Sequence, residues 1–315
     1  MITVIIPNYN SATFLREAID SALVQQGVEL EVIVVDDGST DESRQVIESY
    51  GDRIEAIFQE NQGSGAARNA GLAIAGGEWV KFLDADDWLM PDSLQHESQV
   101  AERHKYADPA MIVFGDAVES RDGQQSPWLG HSVAAGHTLG LIDLVNTTML
   151  TTLPLHLTDA LRAVGGFDAT IPAGEDFDLS VRLHLSGARF VYEPGPSFVY
   201  RQHDEGTRVS TKRHVAGHFV ARLDAYKRNI SSARATLGDG LPQDLAEAFG
   251  RLIWGTGRFA ARCGHSDEAR QLFRYARQIN GGSIPDPRVS YRSACCLMGA
   301  VRTERVLELF RRGCV

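Results

Sequence analysis

The sequence predicts an α/β protein with a mostly parallel central sheet, helices on both of its faces, and an all-helical appendage. Two observations carry this. Short, continuous apolar runs alternate with helical periodicities through the first 115 residues, and strand signals stop after about residue 205, where the charge also changes sign.

Met1–Pro7 is an apolar, β-branched run, as expected of a strand buried on both faces. Asn10-Ser11-Ala12 reads as a helix start, with Phe14, Ala18 and Ala22 at helical spacing to about Gln26. Leu30–Val35 is a second buried strand, and Asp36 to Asp41 is a loop in which Thr40 or Asp41 caps a helix running to Tyr50. Ile54–Phe58 is a third strand, Gly63–Gly76 a Gly/Ala-rich loop and helix, and Trp79–Leu83 a fourth strand. Met90-Pro91-Asp92 opens another helix, and Ala110–Phe114 is a fifth strand. Residues 116–205 are less regular: a Gly165-Gly166-Phe167-Asp168 turn, a helix over Glu175–Ser186, and short strands at Ala188–Tyr192 and Ser197–Tyr200. Beyond them come helices only, at Lys212–Ala235, Leu245–Cys263 and Asp267–Ile279; the last two have the size of one tetratricopeptide-like hairpin.

Composition narrows the classes. With 43% hydrophobic and 23% charged residues the chain reads as globular. No apolar run reaches the roughly 18 residues that span a bilayer. The first residues lack a basic region and read as a strand rather than a signal peptide. Cys263, Cys295, Cys296 and Cys314 have no metal-ligand spacing and read as reduced thiols, which implies a cytoplasmic location. Residues 206–315 carry 19 Lys+Arg against 9 Asp+Glu, whereas residues 1–205 carry 12 against 32. An acidic first part suits a metal. A basic tail suits an anionic membrane surface or an acidic partner, or is a solvated helical surface. Nothing points to nucleic acid.

Ligands of parallel α/β sheets bind beyond the carboxyl ends of the strands. Carboxylates are expected there: Asp36 and Asp37 after the second strand, Asp84, Asp86 and Asp87 after the fourth, and Asp116 after the fifth. Asp36 and Asp37 serve either a nucleotide or their own turn. Asp84-Ala85-Asp86-Asp87 is either an exposed acidic turn or a site for a hard dication such as Mg²⁺ or Mn²⁺. Where a dinucleotide fold needs G-x-G-x-x-G, the chain has Pro7-Asn8-Tyr9-Asn10, and it has no G-x-x-x-x-G-K-[ST] loop. A nicotinamide oxidoreductase and a P-loop enzyme are therefore disfavoured.

Six segments in order resemble the family 2 glycosyltransferases of GT-A fold: Val4-Ile5-Ile6-Pro7-Asn8-Tyr9-Asn10, Val34-Val35-Asp36-Asp37-Gly38-Ser39-Thr40-Asp41, Gly65-Ala66-Ala67-Arg68-Asn69-Ala70-Gly71, Phe82-Leu83-Asp84-Ala85-Asp86-Asp87, Gly165-Gly166-Phe167-Asp168 and Glu175-Asp176-Phe177-Asp178-Leu179. The resemblance covers about residues 1–203 and implies a GT-A domain over 1–205, followed by a basic helical domain over 206–315. It implies that Pro7, Asn8, Tyr9, Asp36, Asp37 and Gly38 surround the nucleotide base, with Arg68 near base or phosphate. It implies that Asp84, Ala85 and Asp86 face the donor's diphosphate, and that Asp84, Asp86, Asp87 and His203 hold Mn²⁺ or Mg²⁺. It implies that the Glu175-Asp176 pair is catalytic, with Asp176 the general base of an inverting transfer; read without the family, that pair is charge at a helix N-terminus.

The expected partners are a nucleoside-diphosphate sugar, a UDP-sugar first, and a hydroxyl acceptor on a glycan or lipid-linked glycan, with work in cell-surface polysaccharide synthesis. A Q-x-x-R-W element is absent, which disfavours processive synthesis. Trp88 and Trp128 either stack on sugar or pack the rim, and Asp168 fixes its own turn. His96, His104, His131, His137, His156 and His184 show no ligand spacing. From Val289 to Val315 apolar residues interleave with arginines, so this stretch either lies on the inner face of a membrane or packs on the helices before it. A non-catalytic nucleotide-sugar-binding or scaffolding protein acting through its tail is the competing reading.

Overall fold

The computed structural model describes residues 1–105, 110–128, 133–147, 149–203, 215–238 and 240–312. Its contacts divide into two units, Met1–Gly140 with Thr147–Arg208 and Leu141–Asn146 with Val209–Val315. The 205/206 boundary, the Lys212 helix start, His131 and Cys314 lie outside the described residues.

The first unit opens with β1 (Ile2–Asn8), α1 (Ala12–Leu23), β2 (Leu30–Asp36), α2 (Ser43–Glu48), β3 (Glu55–Phe58), α3 (Ser64–Ile74) and β4 (Trp79–Phe82). β1 pairs in parallel with β2 and β4, and β2 pairs in parallel with β3. The apolar runs explain this layer, since Val4, Ile5, Ile6, Val34, Val35 and Phe82 are all wholly buried. Gly71 brings α3 down onto β1, because a Cβ there would lie 2.6 Å from Ile5 Cγ2. Asp41 joins the starts of two helices: Oδ2 accepts the Ala12 N–H and Oδ1 the Ser43 N–H, each at 3.0 Å.

The unit continues through β5 (Trp88–Leu89), α4 (Ser93–Lys105), β6 (Met111–Arg121), β7 (Gln124–Pro127) and β8 (Thr138–Leu139). After α5 (Leu141–Asn146), which counts with the second unit, come β9 (Pro154–Leu157), α6 (Thr158–Ala163), α7 (Glu175–Leu185) and β10 (Arg189–Gln202). The sheet order is β3-β2-β1-β4-β9-β6-β10-β5, with β7 beside β6 and β8 beside β10. β9 runs antiparallel between β4 and β6, while β6 and β10 are parallel.

Among the differences from the sequence expectation, three bear on the sheet. β9 has no counterpart in that expectation. The fifth strand runs on to Arg121, so Asp116 lies within it rather than at its end; its carboxylate accepts the Tyr192 hydroxyl at 2.7 Å and the Gly195 N–H at 3.1 Å. The two short strands expected over 188–200 are one, β10, whose register with β6 shifts between Tyr192 and Phe198. Its pairing absorbs the Pro194-Gly195-Pro196 kink as a bulge instead of a turn.

Lys81 on β4 is fully buried. Its ammonium donates to both Glu97 oxygens (2.7 and 2.8 Å), Ser197 Oγ (2.7 Å) and the Leu153 carbonyl (3.0 Å). Burial pushes its pKa down, against the pull of Glu97. One cation thus ties together β4, α4, β10 and the approach to β9.

In the helical unit α5 packs on α9 (Gln243–Arg262), which follows α8 (Ala216–Leu237) and precedes α10 (Ser266–Ile279), α11 (Val289–Met298) and α12 (Ala300–Arg312). α9 and α10 form the hairpin, closed by Trp254 and Phe273 with ring centroids 4.4 Å apart. The described part of the tail forms two helices, divided at Gly299, which takes a φ of 81°. No described helix is long and apolar enough to cross a membrane.

Candidate active site

The carboxyl ends of β1 and β2 finish level, with Asn8 opposite Asp36. Asn8 Nδ2 donates to Asp36 Oδ1 at 2.8 Å, and the same oxygen accepts the Ser39 hydroxyl at 2.5 Å. Asp36 is 3% exposed and is engaged in fixing this junction. Asp37 is equally buried. Its carboxylate accepts Gln59 Nε2 at 2.7 Å and the N–H groups of Gln62 and Gly63 at 2.9 and 2.8 Å, which shapes the loop entering α3. Gly38 sits at a φ of 76°, and a Cβ there would press to 2.9 Å from the Asn61 nitrogen. Tyr9 is the exposed residue of this edge, at 38%. Pro7, one residue before Asn8, is half-buried on the same strand.

Arg68, on α3, is the hinge of the site. Its Nη2 donates to Asp84 Oδ1 at 2.7 Å and its Nη1 to Glu175 Oε1 at 3.0 Å, and the guanidinium lies over Phe167 at 5.2 Å. Burial opposes its charge, but Asp84 and Glu175 more than offset that and hold it above the ordinary guanidinium value. Ser64 Oγ donates to the same Glu175 oxygen at 3.0 Å. The loop after β4 and the start of α7, far apart in sequence, therefore meet at one cation. Asn69 fixes the neighbouring turn by exchanging hydrogen bonds with the Phe167 backbone, both at 2.8 Å. Asp168 holds Thr170 and so its own turn, as expected.

Asp84, Asp86 and Asp87 each offer a carboxylate oxygen, and these atoms lie within 4.8 Å of one another. Asp84 and Asp86 keep side-chain exposures of 37% and 19%, while Asp87 is buried and accepts the Arg201 N–H at 2.9 Å. His203 Nε2 stands 3.0 Å from Asp86 Oδ2, with its ring 4.5 Å from that of Phe14; its Nδ1 is buried without a hydrogen-bond partner among the described residues. Three convergent hard oxygens partly open to solvent suit Mg²⁺ or Mn²⁺. Ala85, between them, is buried.

At the start of α7 the two acids part company. Glu175 is 7% exposed and held by Arg68 and Ser64. Asp176 is half-buried, and its Oδ1 accepts the Phe177 N–H at 2.8 Å. Gly174, at a φ of 90°, turns the chain into this helix.

Sequence reading missed Arg201 and Ser64. Arg201 Nε donates to the Asp86 carbonyl at 2.8 Å, and its guanidinium pairs with Glu17 and lies over Trp88 (4.4 Å) and Phe14 (4.8 Å). Trp88 thus packs against a cation at the rim. The signal available for Arg201 was its place two residues before His203, at the end of β10.

This geometry defines an α/β protein that gathers carboxylates at the carboxyl ends of β2 and β4 and at the start of α7. Residues 3–145 match the family described as Glycosyl transferase family 2. The succinoglycan biosynthesis protein ExoO of Rhizobium meliloti is 30% identical over 258 residues, covering 78% of this chain and 71% of that protein. The chain belongs to glycosyl transferase family 2. An uncharacterized glycosyltransferase from Nostoc sp. is 53% identical over 103 residues, and the match spans only 32% of its length. Among solved structures, S. aureus TarS in complex with UDP-GlcNAc aligns over 99% of this chain and 92% of its own, with a TM-score of 0.59 at 18% identity. The mannosyltransferase PcManGT of Pyrobaculum calidifontis, in complex with GDP-Man and Mn²⁺, aligns over 98% and 87% with a TM-score of 0.52 at 19% identity. The fold is therefore GT-A.

Proposed function

We propose that the chain transfers a sugar, with inversion and one unit per encounter, from a nucleoside-diphosphate sugar to a hydroxyl acceptor on a glycan or lipid-linked glycan. One observation carries this reading: Arg68 bridges Asp84 and Glu175, so the acidic loop and the acid pair of α7 border one site. The donors named with TarS and PcManGT support a nucleotide-sugar ligand, and a UDP-sugar is our first choice. The exposed Tyr9 offers its face to the base. Asp36, Asp37, Asn8, Gly38 and Pro7 shape the base loop, since the carboxylates are already engaged within the protein.

Asp84, Asp86 and Asp87, with His203 against Asp86, would hold Mn²⁺ or Mg²⁺, which when bound supplies Lewis-acid compensation for diphosphate charge. Asp176 takes the proton of the acceptor hydroxyl as that oxygen attacks the anomeric carbon. The new C–O bond forms as the bond to the diphosphate breaks, and attack from the opposite face inverts the centre. Glu175 acts as a positioning residue through Arg68. The helical unit, residues 206–315 by sequence, is proposed as a separate domain.

Asp176→Asn is the test. Turnover should fall at least about a hundredfold with donor affinity kept, the cost of losing a general base. Unchanged turnover refutes the role. A thermal-shift screen of UDP-, GDP-, CDP- and dTDP-sugars with and without Mn²⁺ identifies the donor.

A further inference from the structure

The helical unit contains a cavity of about 940 Å³ that the transfer reading does not use. Its apolar lining includes Trp254, Phe273, Ile284 and Met298. It is also lined by Arg270, Arg274, Arg277, Arg302 and Arg305, and by no carboxylate among the described residues. Arg270 pairs with Asp267. Arg305 donates to Ser266 Oγ at 2.7 Å and Arg277 to the Gly282 carbonyl at 3.0 Å, neutral partners that leave their charges uncompensated. Arg274 and Arg302 have no hydrogen bond or ion pair among the described residues. Four of the five guanidinium charges thus lack a carboxylate there.

Like charges gathered around an apolar lining repel one another, and an anion relieves that repulsion. The first turns of α10 and α12 also reach the cavity, at Ser266 and at Ala300 to Arg302, and helix N-termini favour negative charge. Beside the cavity, Leu297 is 86% exposed and Met298 41% exposed. Apolar side chains in water beside these cations match the surface of an anionic bilayer, where the former enter the acyl boundary and the latter meet phosphate.

We propose that this cavity binds the phosphate-bearing headgroup of an anionic lipid, with the apolar part of the lipid on Trp254, Phe273 and Met298 and with Leu297 inserted beside it. The proposal stands apart from the glycosyl-transfer reading and would survive its failure.

The test is co-sedimentation of the full chain with vesicles of phosphatidylcholine alone and of an equimolar phosphatidylcholine–phosphatidylglycerol mixture. Binding is expected only to the second. Each basic residue near an anionic surface strengthens binding about fivefold, so Arg274→Glu with Arg302→Glu should weaken partitioning about thirtyfold or more. Arg234→Glu with Arg292→Glu makes the same charge change at exposed positions off the cavity, and should stay within about threefold of wild type. All four positions are exposed, so the fold is kept, which circular dichroism checks. Equal loss in both double variants, no binding to the anionic vesicles, or a thermal shift by inorganic pyrophosphate that is lost in Arg274→Glu with Arg302→Glu and comes without vesicle binding would each overturn the lipid assignment. The last would assign the cavity to a soluble anion.

Discussion

Replacing Arg68 by methionine keeps most of the apolar stem and deletes the charge that joins the two halves of the site. Deleting one partner of a buried ion pair costs about 3–5 kcal/mol, because the other charge is left without water or a counter-ion. Here the two carboxylates differ. The Asp84 side chain is 37% exposed, so water replaces much of what it loses, whereas the Glu175 side chain is 9% exposed and retains only Ser64 among the described residues. The penalty therefore concentrates on Glu175, and we expect a loss of about 3 kcal/mol, the low end of that range. Urea unfolding measures the total, and hydrogen exchange in α3 and α7 reports where opening begins. Combining Arg68→Met with Glu175→Gln removes the stranded charge, and the pair should recover about 1–2 kcal/mol relative to additivity. A single-variant loss under about 1 kcal/mol would mean that the pair behaves like an exposed one, and strict additivity would mean that the two residues do not communicate; either result refutes the reasoning.

Asp86→Ala should abolish the Mn²⁺-dependent thermal shift, about 2.7 kcal/mol of stabilisation at a hundredfold excess over Kd, and leave the metal-free melting curve near wild type. Burial, with Lys81 beside it, pushes the His156 imidazole down to about 3. The unfolded chain then binds the extra proton first, so stability is full above about pH 6.5 and is lost as pH falls toward about 3, by about 1.4 kcal/mol per unit; in His156→Leu that slope should vanish from pH-dependent urea unfolding. Gly166 has a φ of 67°, and a Cβ would lie 2.3 Å from Asn69 Oδ1, which is bonded to the Phe167 N–H. Gly166→Ala should therefore cost about 1–3 kcal/mol, read by thermal unfolding.

The parallel half of the sheet was legible because β1, β2 and β4 are buried on both faces, so burial writes itself into unbroken apolar runs such as Val4-Ile5-Ile6. The acidic loop was legible because like charges in adjacent positions require a compensating reason. What stayed hidden depends on partners distant in the chain. Nothing near Glu175 announces that Arg68, 107 residues earlier, will claim it. Lys81 sits in an apolar strand, and only the fold brings Glu97 and Ser197 to it. β9 begins with a proline and is short, so its propensity is weak; its place between β4 and β6 comes from the sheet itself. Pro194-Gly195-Pro196 reads as a turn, yet the pairing of β10 with β6 resumes beyond it.

The placement of β9 bears on how this chain can be cut and recombined. The family match ends at residue 145, yet a fragment ending there would keep β4 and β6 while lacking the strand that knits them together. Two raw sheet edges would face solvent, an invitation to aggregation. A chimera with a relative should therefore place its crossover beyond β10, at Gln202 or later, and keep the α5 surface matched to the α9 it packs on.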